Sequence, residues 1–216
     1  GGLVSQLTDL MGNGNATQSN ATYKPLIESN YDNSPSGIRF GLGARQYLDF
    51  TQVSLTDFTI HLVVRTNGIS PSIANILGGN TAGTNPHVLF DFGSYTNYVT
   101  TGLQDPSSNQ KIVTYNQNLQ LHVISIQNNK IYIDGVESTY ITNTPLTSLV
   151  ISRIGNASDS TTNNYFNGFI YEIIICNTRH SRNDLFNYYF YARDKYNVKV
   201  PTVTHTWTAD HIDYIK

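Results

Sequence analysis

A chain of 216 residues with 39% apolar content is long enough for one domain with a full core, whereas 13% charged residues and a formal net charge of -2 leave no basic surface for a nucleic-acid backbone or an anionic membrane. No apolar run approaches the roughly 20 residues a membrane-spanning helix needs, and the lone Cys176 excludes an internal disulfide framework and a cysteine-type zinc site. The opening GGLVSQLTDLMGNGN has no basic region followed by an apolar stretch, so no signal peptide is expected and the chain reads as excised from something longer.

Short strand patterns follow one another from residue 37 onward. GIRF (37 to 40) and QYLDF (46 to 50) come first. In FTIHLVV, Phe58, Ile60, Leu62 and Val64 alternate with Thr59, His61 and Val63, the period-2 signature of a strand with two distinct faces. IANIL (73 to 77), HVLFDF (87 to 92) and KIVTY (111 to 115) continue the series. LQLHVISIQNNKIYIDGVEST then reads as a hairpin turning at Asn128-Asn129, because Asn tolerates the positive φ angles of a two-residue turn, and Asp134-Gly135 marks a second turn. SLVISRIG (148 to 155) and FIYEIIIC (169 to 176) complete a set of about ten strands separated by Gly, Asn and Pro, which predicts an all-β sandwich. One segment departs from this pattern. Leu185, Tyr188, Tyr189, Ala192 and Tyr196 form an apolar stripe at helical spacing, predicting a short helix over 182 to 195 that is capped by Ser181, with Asp184 reaching back. Val198, Val200 and Val203 alternate in the tail. The expected organisation is a sandwich over 1 to 198 and a last strand or connector over 199 to 216.

Several segments taken together resemble a known family. LTDLMGNGNATQSNATYKPLIES (7 to 29), SGIRFGLGARQYLDF (36 to 50), FTIHLVVRT (58 to 66), LHVISIQNNKIYIDGVE (121 to 137) and FNGFIYEIIICNTRHSRNDLFNYYFYARDKYNV (166 to 198) resemble, in order, the laminin-G-like domains of the concanavalin A-like lectin/glucanase superfamily. The resemblance implies a jelly-roll of two curved antiparallel sheets, with binding sites on rim loops or the concave face.

Retaining glycosidases of this superfold carry two carboxylates about 5 to 5.5 Å apart, generally two residues apart on one strand. Here Ile170 and Ile174 flank Glu172 at those positions, and Asp49, Asp57, Asp91 and Asp134 likewise lack an acid two residues away. The Glu-x-Asp-x-x-Glu hydrolase signature is absent, so no catalytic residue is assigned and the chain is not expected to be an enzyme. Glu172 itself is read as a structural acid, with Arg39 or Arg153 as the expected partner, since a buried carboxylate must be paired. Cys176 sits in an apolar strand and no Gly-x-Ser-x-Gly elbow is present, while LGGNTAGTNP (77 to 86) lacks a phosphate-loop lysine. His205 and His211, with Asp210 and Asp213, read as solvated tail residues, so no metal site is assigned. Oxygen donors at Asp91, Asn97, Asp159, Asn163 and Asn164 suit calcium, the cation that relatives of the resembled family use on rim loops, but they form no calcium-loop motif and no cofactor is assigned.

Sugar recognition needs amides and carboxylates beside an aromatic face. DFGSYTNYVTT offers Asp91, Tyr95, Asn97 and Tyr98; GNASDSTTNNYFNG offers Asn156, Asp159, Asn163, Asn164 and Tyr165. The ordinary alternative is that Asn, Ser, Thr and Tyr line any loop of this sequence whatever it does. Trp207 is either a docking residue for a neighbouring module or an exposed stacking side chain, and the sequons at Asn15, Asn20 and Asn156 are used only in a eukaryotic secretory pathway. The expectation is a recognition or adhesion module of a phage or viral surface protein, such as a tail fibre, head fibre or decoration protein. It would be displayed on a virion or outside the cell, contact host-surface carbohydrate and belong to a larger assembly. The alternative is a structural module touching only protein neighbours.

Overall fold

The computed structural model describes residues 2–12, 14–28, 35–41, 45–67, 73–79, 87–95, 98–104, 110–116, 120–127, 130–144, 146, 148–156 and 165–198, with 73–74, 87–95, 98–104, 110–112, 114–116 and 141–142 described as backbone. The described residues form two antiparallel sheets and one α-helix. Strands β1 (Gln6–Leu7), β2 (Ala16–Thr17), β5 (Leu48–Leu55), β15 (Leu149–Ile154), β7 (Ile73–Gly78), β8 (His87–Tyr95), β9 (Tyr98–Gln104), β10 (Gln110–Asn116) and β14 (Tyr140–Asn143) lie in that spatial order in the larger sheet. The smaller sheet runs β13 (Val136–Glu137), β12 (Lys130–Ile133), β11 (Leu121–Gln127), β6 (Thr59–Thr66), β16 (Gly168–Cys176), β4 (Gly37–Phe40) and β3 (Leu26–Glu28).

Alternation along β6 sorts the two faces as the sequence predicts. Ile60, Leu62 and Val64 enter the core between the sheets with Phe40, Leu77, Ile124, Ile151 and Phe166, whereas Val63 joins a second cluster on the outer face with Leu121, Val123, Tyr189, Ala192 and Tyr196. Helix α1 (Arg182–Tyr196) supplies the last three and covers this outer face, so its apolar stripe has a partner of its own. Each fully buried Leu, Ile or Phe in either layer stabilises by about 1.5–3 kcal/mol.

The ends of the helix follow from its flanking residues. Ser181 Oγ accepts from the Asp184 N–H at 3.2 Å, while Asp184 Oδ2 accepts from the Ser181 N–H at 3.0 Å. Those Ser181 bonds hold the Asp184 carboxyl below its ordinary range. Asn197 closes the other end in the left-handed region, φ 54, donating to Arg193 O. Ser181→Ala is expected to lower Tm by about 2–4 °C, read by thermal unfolding in circular dichroism.

The β11–β12 hairpin has the predicted register, with Gln127 opposite Lys130, though residues 128–129 lie outside the described residues. Asp134 and Gly135, at φ 52 and 80, make the next turn as a type I′ pair. One stretch differs from expectation: DFGSYTNYVTT is a hairpin rather than a loop, since Asp91 pairs with Thr101 and Tyr95 with Tyr98.

The start of the chain engages both sheets. Leu3 bridges Leu26, Ile27 N–H donates to Gly2 O at 2.9 Å and Val4 N–H to Pro25 O at 2.8 Å, after which β1 joins the larger sheet beside β2.

Candidate functional site

An open hollow of about 410 Å³ lies at the β1 edge of the larger sheet, lined by Ser5, Gln6, Thr17, Gln18, Ser19, Lys24 and Asp49. Strand register builds its floor. Gln6 sits opposite Thr17, Thr17 opposite Asp49, and Asp49 opposite Arg153, so four polar side chains from four strands share one face in a single row. Their chain neighbours Leu7, Ala16, Leu48 and Ile154 turn inward to the core.

Arg153 fixes the inner end of this row. Its Nε and Nη2 donate to the two oxygens of Asp49 at 2.6 and 3.1 Å, and its guanidinium lies 4.0 Å above the Tyr47 ring. Tyr47 stacks with Tyr23 at 5.6 Å, and the Tyr47 N–H donates to Tyr23 O at 3.0 Å. Gln18, nearly buried, accepts from Asn20 N–H at 2.9 Å through Oε1. Asn20 in turn caps the short turn Ala21–Tyr23 by accepting from Thr22 N–H. Gln46 Nε2 donates to Lys24 O at 2.9 Å. The hollow therefore presents hydroxyls, amides, one carboxylate and one ammonium on a pre-ordered frame beside an aromatic pair.

Glu172 has a different setting from the one expected. Its register against β6 slips between Ile170 and Glu172, a β-bulge that sends both Tyr171 and Glu172 to the helix side while Ile170 and Ile173 stay in or against the core. The expected partners are engaged elsewhere, Arg39 with Glu28 and Arg153 with Asp49. Helix α1 supplies the actual ones: Lys195 Nζ donates at 2.8 Å, Tyr188 Oη at 3.1 Å and Tyr191 Oη at 3.4 Å. Burial, then the Glu172 charge, push the Tyr188 hydroxyl well up, so it stays protonated and keeps donating. For Lys195 burial works against the charge, but bonds to Glu172, Tyr191 and Tyr196 prevail and hold its ammonium well up. The acid is thus satisfied by donors and anchors the helix.

A second polar group lies under the helix start, where Ser125 Oγ meets His61 Nδ1 at 2.8 Å and His61 Nε2 meets His180 Nδ1 at 3.0 Å. Both Ser125 and His61 are buried. The void beside Ser125, about 10 Å³, has room for about one water and none for a substrate. Burial, then the His180 charge, lower His61 to about 3, which makes it a weak base.

The residues singled out for sugar contact fare differently. Asp91, Tyr95 and Tyr98 lie in β8 and β9, described there as backbone; Asn97, Asp159, Asn163 and Asn164 lie outside the described residues, as do His205, Trp207 and His211. Asn156 and Tyr165 are 1% and 4% exposed, so neither offers a face to a ligand. Among the described residues no group of three or more His, Cys, Asp or Glu side chains is placed to hold a metal ion. The hollow escaped sequence reasoning because residues 6, 17, 49 and 153 meet only through strand order; the alternation around Asp49 in QYLDF, with Leu48 turned inward, was the one local signal.

No protein-family model matches the chain, and no curated protein matches it in sequence. Among solved structures, the binding domain of Paraclostridial Mosquitocidal Protein 1 aligns at 15% identity and TM-score 0.51 over 87% of this chain and 51% of that one. A heptameric SAP-like pentraxin from Limulus polyphemus aligns at 12% identity and TM-score 0.50 over 74% and 78%. The fold is a jelly-roll β-sandwich. The receptor-binding domain of botulinum neurotoxin type G aligns at 12% identity and TM-score 0.49 over 88% and 51%, so this chain spans about half the length of the toxin binding domains it matches.

Proposed function

We propose that the chain is a non-catalytic recognition module that binds carbohydrate in the Gln6–Thr17–Asp49 hollow. The observation that carries this reading is the cross-strand polar row ending in the Asp49–Arg153 fork beside the stacked Tyr23 and Tyr47. Hydroxyl, amide, carboxylate and ammonium groups held in fixed positions match the alternating donors and acceptors of a sugar, and pre-ordering limits the entropy lost on binding. The alignment with the binding domain of Paraclostridial Mosquitocidal Protein 1 supports a binding role.

Asp91, Tyr95, Asn97 and Tyr98, with Asp159, Asn163 and Asn164, are proposed as further contacts; Asn156 and Tyr165 are left out because they are buried. We place the module among laminin-G-like domains of a phage or viral surface protein, exposed on the virion or outside the cell. The Asn- and Tyr-rich, charge-poor composition and the ordered motifs support that placement.

Glycan-array screening followed by calorimetry tests the reading. A bound oligosaccharide is expected, with Gln6→Ala and Lys24→Ala each weakening it by about tenfold, the loss of one charged or two neutral hydrogen bonds. Binding that ignores both substitutions, or an array without a hit, overturns it. A second reading, a structural module contacting only proteins, is favoured by Leu10 and Met11, which stand 94% and 82% exposed on the β1–β2 connection.

A further inference from the structure

We propose that the His61–His180 pair is an acid-sensitive latch that holds the start of helix α1 against the smaller sheet. His61 and Ser125 are register partners on β6 and β11, which sets the hydroxyl beside the ring. His180 belongs to the connection leading into the helix, and its backbone is tied to the sheet at both ends. Its N–H donates to Thr59 Oγ1 at 2.8 Å, and its carbonyl accepts from Gln127 Nε2 at 2.8 Å. Tyr188, in the second turn of the helix, stacks on His61 at 3.9 Å. Sheet, connection and helix therefore meet at one imidazole that is 1% exposed.

Proton counting defines the latch. Only one hydrogen fits between His61 Nε2 and His180 Nδ1, 3.0 Å apart. With both rings neutral, one nitrogen donates and the other accepts. One added proton on the pair is accommodated by orienting the chain so that His180 donates to His61 and His61 to Ser125. A second places two N–H groups head to head and two cations in contact, and the bond is lost.

Among the described residues the acids nearest the pair are already engaged. Asp184, on the His180 side, is engaged by Ser181; Glu172, beyond Tyr188, is engaged by Lys195; Asp57 faces Arg179 at 3.4 Å. The positive end of the helix dipole lies on the same side, and Arg182 lines the void beside Ser125, so neither offers a countercharge. In the closed state His61 stays neutral down to about 3, whereas on opening it regains a value near 6.5. The open state thus binds more protons below 6.5, and opening is favoured by about tenfold per pH unit between 6.5 and about 3. The cluster of Val63, Leu121, Val123, Tyr189, Ala192 and Tyr196 opposes detachment and keeps the helix closed until acid weakens the latch, while the separate core between the sheets keeps the sandwich folded.

Hydrogen exchange and imidazole NMR between about pH 7.5 and about pH 5 test the latch. After correction for intrinsic exchange, the open population of the 182–196 amides is expected to rise about 30-fold, with β5 and β15 amides better protected than the helix at both pH values and His61 untitrated in the closed state. In His61→Gln the rise disappears. The proposal is overturned if His61 titrates near 6.5 with the helix closed, if the helix amides are as well protected as the β5 and β15 amides at about pH 5, or if the variant keeps the rise. The wild-type measurements decide it even where the variant does not fold.

Discussion

Gly155→Ala is expected to destabilise the protein by about 3 kcal/mol or more, lowering Tm by about 6–12 °C. Gly155 follows β15 at φ 88, where a side chain already costs about 1–2 kcal/mol. An added Cβ would also overlap the Phe40 ring and come within 3.0 Å of Gln46 O. Neither neighbour can yield easily. Phe40 is 0% exposed and packs against Phe166, and Gly155 is held by its N–H to Ile76 O at 2.8 Å and by Phe166 N–H to its own carbonyl at 3.0 Å. Gly12→Ala is the control, because Gly12 has φ 77 but nothing within 4 Å of the place a methyl group would take, so only the conformational part of about 1 kcal/mol is expected. Urea midpoints with unchanged slopes measure both.

Arg153→Ala is expected to lower stability by about 2–3 kcal/mol and, on the proposed carbohydrate reading, to weaken binding in the hollow. The guanidinium is largely covered, at 12% side-chain exposure, and removing it deletes a two-pronged bond and a ring contact together. Asp49, 38% exposed, recovers water, which keeps the loss below that of a fully buried pair. Arg153→Lys keeps the charge without the planar fork and is expected to recover less than half. A double-mutant cycle with Asp49→Asn should give a coupling of about 1–2 kcal/mol; a coupling near zero would show the row to be held by packing alone.

What the sequence revealed follows the range of the interactions involved. Strands such as GIRF and FIYEIIIC, the turn at Asp134-Gly135 and the Ser181 cap depend on neighbouring residues, and all were legible. The bulge at Tyr171–Glu172 was not, because its only trace is a slip against a strand about a hundred residues away. Without it, Glu172 reads as an acid that needs a partner within the sheets, whereas its donors come from the helix that follows. Tyr98 through Gln104 went unassigned for a related reason: Thr, Gly and Gln make a weak strand pattern, and pairing with β8 and β10 overrides it. The hollow depended on strand order, the least local information of all.

The opening segment, bonded to β3 and then to β1's neighbour, has a mechanical consequence. A pull delivered at Leu3 is shared between the edges of both layers, so backbone bonds of two sheets bear the load. A fastening of this kind resists peeling from either layer alone, a useful property for any module that must stay folded while tethered under tension.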